Sequence, residues 1–315
     1  MHVRLTGLAA GLTVAASAMF ASSASANIDI VFDYSYDTNG FFDSQSRRDR
    51  LEEAAAFYEN AFTDTLSPVS GFSWTANMTH PGTLTDYTFS GPDVGQDQIL
   101  IYAGGYNFSD GTLGHGGPGG FPTQSGTVEK FDALVSRGQF PYTTPHYAQT
   151  DFGTWGGSLT FDTAPVVEFT NGSSQSASWY WGDASIDIPD EGSGYMYDFL
   201  SIAVHEIGHV LGFGTANSFE NLISGGMFTG AASQAVYGGP VPMYGSAHWA
   251  TGILDDSTAM DPSIGVNERR LLTMLDYAGF DDLGWDVDYD AIPEPTTLAL
   301  MGLTSLVMLR RRRTV

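Results

Sequence analysis

Apolar and polar positions first alternate clearly near residue 28. Ile28, Ile30 and Phe32 take every second position, with acidic residues among those between. A period of two puts apolar side chains on one face of a strand, so we expect a half-buried strand that extends to Tyr36. Short apolar runs rich in β-formers predict three more strands. These are residues 99–103, 158–162 and 166–169.

Two segments carry the helical period instead. Ser46 and Asp49 fit the S-x-x-D start signal of a helix. The apolar residues that follow share one helical face: Leu51, Ala55, Tyr58 and Phe62. A second helix near the end has an apolar face made of Leu271, Leu275 and Ala278. We expect this second helix to stop at Gly279.

Residues 104–121 are rich in glycine and predict a long surface loop. No repeat and no long linker divides the chain, so residues 27–290 are expected to form one domain. Because predicted strands and helices mix, the fold class is α/β or α+β.

The N-terminus has the three parts of a secretory signal peptide. They are Arg4, the apolar residues 5–20 and the small residues 24–26. We place cleavage after Ala26, so residues 1–26 are the signal peptide. The first predicted strand begins within two residues of that mature terminus, and the chain has no cysteine. We therefore predict neither a large N-terminal pro-domain nor a cysteine switch.

The C-terminus also resembles a targeting signal. A Pro-Glu-Pro sequence at residues 293–295 precedes the apolar run 296–309 and four arginines. The run is shorter than the roughly 20 residues of a spanning helix. The order resembles the PEP-CTERM sorting signal of Gram-negative bacteria, which implies that an exosortase processes residues 291–315 and that the protein is secreted or held at the cell surface. A plain membrane anchor is the alternative.

Charge narrows the possible partners. The chain has 36 acidic and 12 basic residues, for a net charge of −24. Nucleic acid is a poor partner, because phosphate binding needs a basic surface. The acidity fits a solvated surface or Ca²⁺ binding at an unlocated site. An EF-hand is excluded, because Ala291 and Thr297 replace the glycine and glutamate that its loop needs.

Candidate chemistry lies in the sequence His-Glu-Ile-Gly-His at residues 205–209. On a helix, His205 and His209 lie about 40° apart and the opposite face is apolar. Two histidines one turn apart can bind one Zn²⁺ ion. Glu206 can take a proton from water activated by that ion. With Asp198 as the N-cap, this pattern predicts a zinc hydrolase.

The segment from His205 to Gly212 resembles the metzincin consensus H-E-x-x-H-x-x-G-x-x-H, although Thr215 occupies its last position. Leishmanolysin-like metzincins are similar, because their third histidine follows a long insertion and precedes a methionine turn. The resemblance covers about residues 198–285. It implies a twisted mixed sheet over an active-site helix, a smaller C-terminal lobe and Met260 below the zinc.

His248 is the candidate third zinc ligand. It is the only histidine after His209, and it precedes Met260 in the order that the resemblance implies. Its rivals are three carboxylates: Glu220, Asp255 and Asp256. The remaining candidates for a second metal site are interpreted as polar surface: His80, His115 and His146.

These features together predict an exported zinc-dependent endopeptidase with one catalytic Zn²⁺ that acts on proteins or peptides. The alternative is a surface adhesion or matrix protein with a structural or vestigial zinc site. The sorting tail and the acidic surface suggest that alternative.

Overall fold

The computed structural model describes residues 27–139, 150–188 and 194–292. The predicted signal peptide, His146 and residues 293–315 lie outside the described residues. The described chain is mixed α/β, with six α-helices and several sheets, which confirms the predicted class at that level.

The helices are α1 Gln45–Glu59, α2 Val128–Ser136, α3 Phe199–Val210, α4 Asn217–Glu220, α5 Ala231–Tyr237 and α6 Met274–Leu283. The strands up to α3 are β1 Asp29–Asp33, β2 Trp74–Thr79, β3 Asp86–Ser90, β4 Gln98–Tyr106, β5 Gly114–Pro118, β6 Gly120–Gln124, β7 Gly156–Asp162, β8 Val166–Glu168, β9 Ser174–Ser176, β10 Ser178–Tyr180 and β11 Met196–Asp198. The strands after α3 are β12 Ile223–Ser224, β13 Met227–Phe228, β14 Val241–Tyr244 and β15 His248–Trp249.

The main sheet has the strand order β1-β4-β7-β5. Strands β1, β4 and β7 are parallel, whereas β5 pairs antiparallel with β7 at the edge. Helix α3 packs on β5 and β7, and α1 packs on α3. On its other side the main sheet shares a second core with β2, built around Trp74, Tyr102 and Trp155. Being covered on both faces, β7 is buried along its whole length.

All four predicted strands are present, as β1, β4, β7 and β8. The first is shorter than predicted and ends at Asp33 rather than Tyr36. There the Asp33 side chain accepts a hydrogen bond from the Ser35 backbone N–H at 2.7 Å, and Asp37 N–H donates to Tyr34 O. The chain turns at this point because local hydrogen bonds replace those of the sheet.

The predicted start of α1 was wrong. The N-cap is Ser44, and Ser46 lies inside the helix, with its hydroxyl 2.7 Å from that of Ser44. The predicted apolar face is correct, because Leu51, Ala55 and Tyr58 are fully buried. Phe62 is also buried, beyond the end of the helix.

The predicted stop of the last helix at Gly279 was also wrong, because α6 continues to Leu283 and is capped by Gly284. A Cβ at Gly279 would lie 2.8 Å from the Phe213 ring and 2.9 Å from the Trp249 ring. The glycine makes room for these two aromatic side chains and does not end the helix.

The prediction of a surface loop over residues 104–121 was wrong, since this segment contains the end of β4, all of β5 and the start of β6. A Cβ at Gly116 would lie 2.2 Å from the carbonyl oxygen of Glu206, and one at Gly114 would lie 2.7 Å from Glu206 Oε1. The glycines mark a strand that lies directly against α3.

Candidate metal centre

Helix α3 carries the first two candidate ligands. Asp198 Oδ2 accepts hydrogen bonds from the backbone N–H (3.2 Å) and hydroxyl (2.6 Å) of Ser201, so the predicted N-cap is confirmed. The apolar side chains of the helix are buried against α1 and the main sheet. The chain then leaves the helix at Gly212, where φ is +100°. His205 and His209 remain on the side that lines a cavity of about 620 Å³.

His248 approaches these two histidines from β15. His209 Nε2 lies 3.1 Å from His205 Nε2 and 3.1 Å from His248 Nε2. The candidate ligand atoms of the three residues all lie within 4.8 Å of one another. Within the described ranges, this is the one group of three or more His, Cys, Asp or Glu side chains close enough to hold a metal ion.

The structure does not bring the rival ligands to this group. Glu220 and Asp255 are exposed, and Asp256 is half-buried in the 3-10 turn Ile253–Asp256. Thr215 lines the cavity, but its hydroxyl donates to the carbonyl oxygen of His209 at 2.7 Å. His248 is therefore the third residue of this group, whereas the metzincin consensus has its third histidine at the position of Thr215.

The tautomers of the helical histidines leave nitrogen lone pairs facing one another. His205 Nδ1 lies 2.8 Å from Ala259 O, and His209 Nδ1 lies 2.8 Å from Phe213 O. Because a carbonyl oxygen can only accept, both Nδ1 atoms carry the proton, and each Nε2 has a free lone pair. Two nitrogens bound tetrahedrally to zinc lie about 3.3 Å apart. The two Nε2–Nε2 distances of 3.1 Å therefore fit a metal ion of the size of zinc.

Burial keeps these imidazoles neutral. It lowers the pKa of His205 well below its ordinary value, and His209 and His248 lower it further. Burial also lowers the pKa of His209 to about 4. At neutral pH both rings are unprotonated at Nε2, which is the form that binds metals.

Glu206 lies beside the histidines and is only 7% exposed. Burial raises its pKa to about 8, opposed by a hydrogen bond from the Gly116 backbone N–H of the edge strand. Its carboxyl group thus lies between the edge strand and the face of α3 that carries His205 and His209, lining the same cavity. A buried carboxyl group in this setting has the properties of a general base or acid.

Met260 is fully buried beneath α3. Its Sδ lies only 2.8 Å from the position that a Cβ at Gly208 would occupy, so the glycine between the two histidines allows the thioether to pack closely. Met260 thus lies next to the helix turn that carries the candidate ligands, as the resemblance implies.

A second buried carboxylate, Asp276, connects the segments of the site. It accepts hydrogen bonds from the backbone N–H groups of Ala259 (3.0 Å) and Met260 (3.2 Å) and from the Trp249 indole (3.0 Å). Ala259 in turn provides the acceptor of His205. Asp276 was not predicted as part of the site, although the capping box that it forms with Thr273 matches a T-x-x-D pattern in the sequence.

Within the described ranges, His80 and His115 do not form a second metal site. His80 packs against Tyr36 and Tyr87, and its Nδ1 accepts the backbone N–H of Gly82 at 3.1 Å. His115 lies on β5 at the edge of the cavity, not in a loop. Burial lowers the pKa of His115.

The C-terminal tail is the part of the chain that comparison with known families identifies. Residues 291–313 match the PEP-CTERM protein-sorting motif. A PEP-CTERM tail indicates a protein that is exported, sorted to the cell surface and processed at its C-terminus by an exosortase. No curated protein and no solved structure matches the chain. None of the helices in the described ranges is long and apolar enough to cross a bilayer.

Proposed function

We propose that this PEP-CTERM protein is a zinc-dependent endopeptidase with a metzincin-like catalytic domain. His205, His209 and His248 would hold the zinc ion, and Glu206 would be the general base. The observation that carries the proposal is the convergence of three imidazoles, in which His209 Nε2 lies 3.1 Å from Nε2 of both His205 and His248, in a cavity that also contains a buried glutamate.

The donor set supports a catalytic rather than a structural metal. Structural zinc sites usually have four protein ligands, whereas catalytic sites have three and keep one position open. Three histidines meet here, and a cavity of about 620 Å³ adjoins them. The alternative of an adhesion protein with a structural zinc is less consistent with this open arrangement.

Zinc at such a site polarises a carbonyl group and makes water more acidic. The chain supplies the proton transfer. Glu206 would accept a proton from the attacking water and deliver it to the leaving nitrogen. A divalent cation near Glu206 would lower its pKa from the raised value of the metal-free site, because it favours the charged carboxylate.

Strand β5 would hold the substrate backbone. It is the edge strand of the main sheet, and it lines the cavity beside Glu206. An extended peptide can add to such an edge through main-chain hydrogen bonds. This mode of binding suits an unfolded protein segment better than a small molecule.

The decisive test compares wild type with Glu206→Gln. Both proteins should bind one zinc ion per chain, since Glu206 is not among the three ligands. Cleavage of an unfolded protein substrate should fall by about 10²–10⁴-fold in the variant, the range typical of a general base. Glu220→Gln, at an exposed glutamate near the end of α4, is the matched control and should cleave like wild type.

Two results would contradict the proposal. Undiminished cleavage by Glu206→Gln would remove this residue from the mechanism. Stoichiometric zinc with no cleavage of any unfolded substrate would favour the adhesion or matrix alternative.

A further inference from the structure

Asp261 directly follows Met260 and carries a buried oxygen that no hydrogen bond satisfies. The residue is 3% exposed. Its Oδ1 accepts hydrogen bonds from the backbone N–H (2.9 Å) and hydroxyl (3.1 Å) of Ser263 and lies 3.4 Å from Arg270 Nη1. Its Oδ2 is buried and has no partner in the described structure. A buried carboxylate oxygen without a donor is costly, and such an exception calls for a physical reason.

The imidazole of His248 has a ring nitrogen without a hydrogen-bond acceptor. The Nδ1 atoms of His205 and His209 lie against carbonyl oxygens at 2.8 Å. In the described structure, His248 Nδ1 has no such acceptor, and the one hydrogen-bond contact of the imidazole is between its Nε2 and His209 Nε2. When Nε2 faces a metal ion, the proton of the ring must be on Nδ1 and needs an acceptor.

The fold places the two residues close together. The Trp249 backbone N–H donates to Met260 O at 3.0 Å, and His248 and Asp261 are each one residue from this hydrogen bond. Both side chains line the same cavity.

We propose that Asp261 is a positioning residue for His248, with Oδ2 accepting the Nδ1–H of His248 while Nε2 faces the metal. The pairing satisfies both groups and fixes the tautomer that the ligand needs. It would also give the third ligand a carboxylate partner, where the two helical ligands have carbonyl partners. This inference rests on the proposed metal centre.

The test measures zinc affinity by competition with a chelator in the full secreted protein. Asp261→Asn keeps the shape of the side chain but removes its charge, and Asp261→Ala removes the acceptor altogether. We expect the alanine variant to lose about 10–100-fold in zinc affinity, as is typical when the carboxylate behind a histidine ligand is removed. The asparagine variant should lie between the alanine variant and wild type.

A spectroscopic readout separates positioning from general damage to the loop. In ¹H–¹⁵N spectra of the zinc-loaded protein, the Nδ1–H signal of His248 should move in Asp261→Asn, while those of His205 and His209 stay in place. Ser263→Ala is the control, because it removes a hydrogen bond to Asp261 Oδ1 and leaves Oδ2 untouched. This control should bind zinc like wild type.

Three outcomes would overturn the proposal. One is an Asp261→Ala protein that binds zinc within twofold of wild type. Another is a Ser263→Ala protein with the same loss as Asp261→Ala, which would assign the effect to the loop. The third is a wild type that binds no zinc, which would overturn the proposed function as well.

Discussion

The contact between β5 and α3 makes a sharp prediction about Gly116. In Gly116→Ala, the new Cβ would lie 2.2 Å from the carbonyl oxygen of Glu206, whereas a Cβ at Gly117 has nothing within 4 Å. An ordinary contact of this kind is about 3.5 Å, so the Gly116 variant must move the strand by about 1 Å away from the helix. Gly117→Ala needs no movement.

The expected cost follows from this overlap. Overpacking a closely packed interface costs about 1–3 kcal/mol. The Gly116 variant also weakens the hydrogen bond from its N–H to Glu206, so we expect about 2–3 kcal/mol lower stability. Gly117→Ala should be neutral or up to about 1 kcal/mol more stable, because it restricts the unfolded chain.

Urea unfolding of the two variants and wild type, followed by tryptophan fluorescence, measures this difference. The two glycines are adjacent on one strand, so general effects on strand propensity are matched. If Gly116→Ala were as stable as Gly117→Ala within about 0.5 kcal/mol, the close approach of β5 to α3 would be refuted.

Two further predictions concern stability away from the site. Arg137→Met should lower the free energy of unfolding by about 3 kcal/mol or more, because the buried guanidinium donates to four backbone carbonyl groups. Lys130→Met is the control, and equal losses of stability in the two variants on thermal unfolding would contradict this role of Arg137. Burial raises the pKa of Asp64 from 3.8 to about 7, so the folded state holds this proton more tightly than the unfolded state does. The stability that the protonated Asp64 contributes is complete below about pH 3.8 and is lost as the pH rises through 7. Urea titrations between pH 4 and pH 8 should show this loss in wild type, on the order of 3 kcal/mol, and not in Asp64→Asn. If the stabilities of the two proteins changed with pH in parallel, this role of Asp64 would be contradicted.

Periodicity predicted the buried elements well, because burial and local pattern agree there. The alternation from Ile28 and the apolar run 99–103 became the paired strands β1 and β4. The geometry of α3 was also predictable, since Asp198, His205 and His209 all lie within four turns of one helix. Local spacing is enough to place side chains on one helical face.

Glycine was the main source of error. Glycine was interpreted as a helix stop at Gly279 and as a sign of a long surface loop over residues 104–121. In both places its actual role is the close approach of another element: aromatic rings at Gly279, and the backbone of α3 at Gly116. The contact of Gly116 with α3 joins segments about 90 residues apart, and such a contact cannot be recognised from neighbouring residues in the sequence. A glycine in a loop and a glycine at a close contact therefore look alike in the sequence.

The position of His248, the candidate third ligand, could be predicted only in part from the order of residues along the chain. His248 was predicted as the only histidine after His209, but its position depends on contacts made by α6, far along the chain. Asp276 on that helix binds the Trp249 indole and the backbone of Ala259 and Met260, and Ala259 O fixes the ring of His205. The buried carboxylate of Asp276 thus connects β15, which carries His248, to Ala259, whose carbonyl oxygen faces His205. The sequence places His248 after 38 intervening residues, but the contacts of α6 and the pairing of β15 with β14 hold it beside His209.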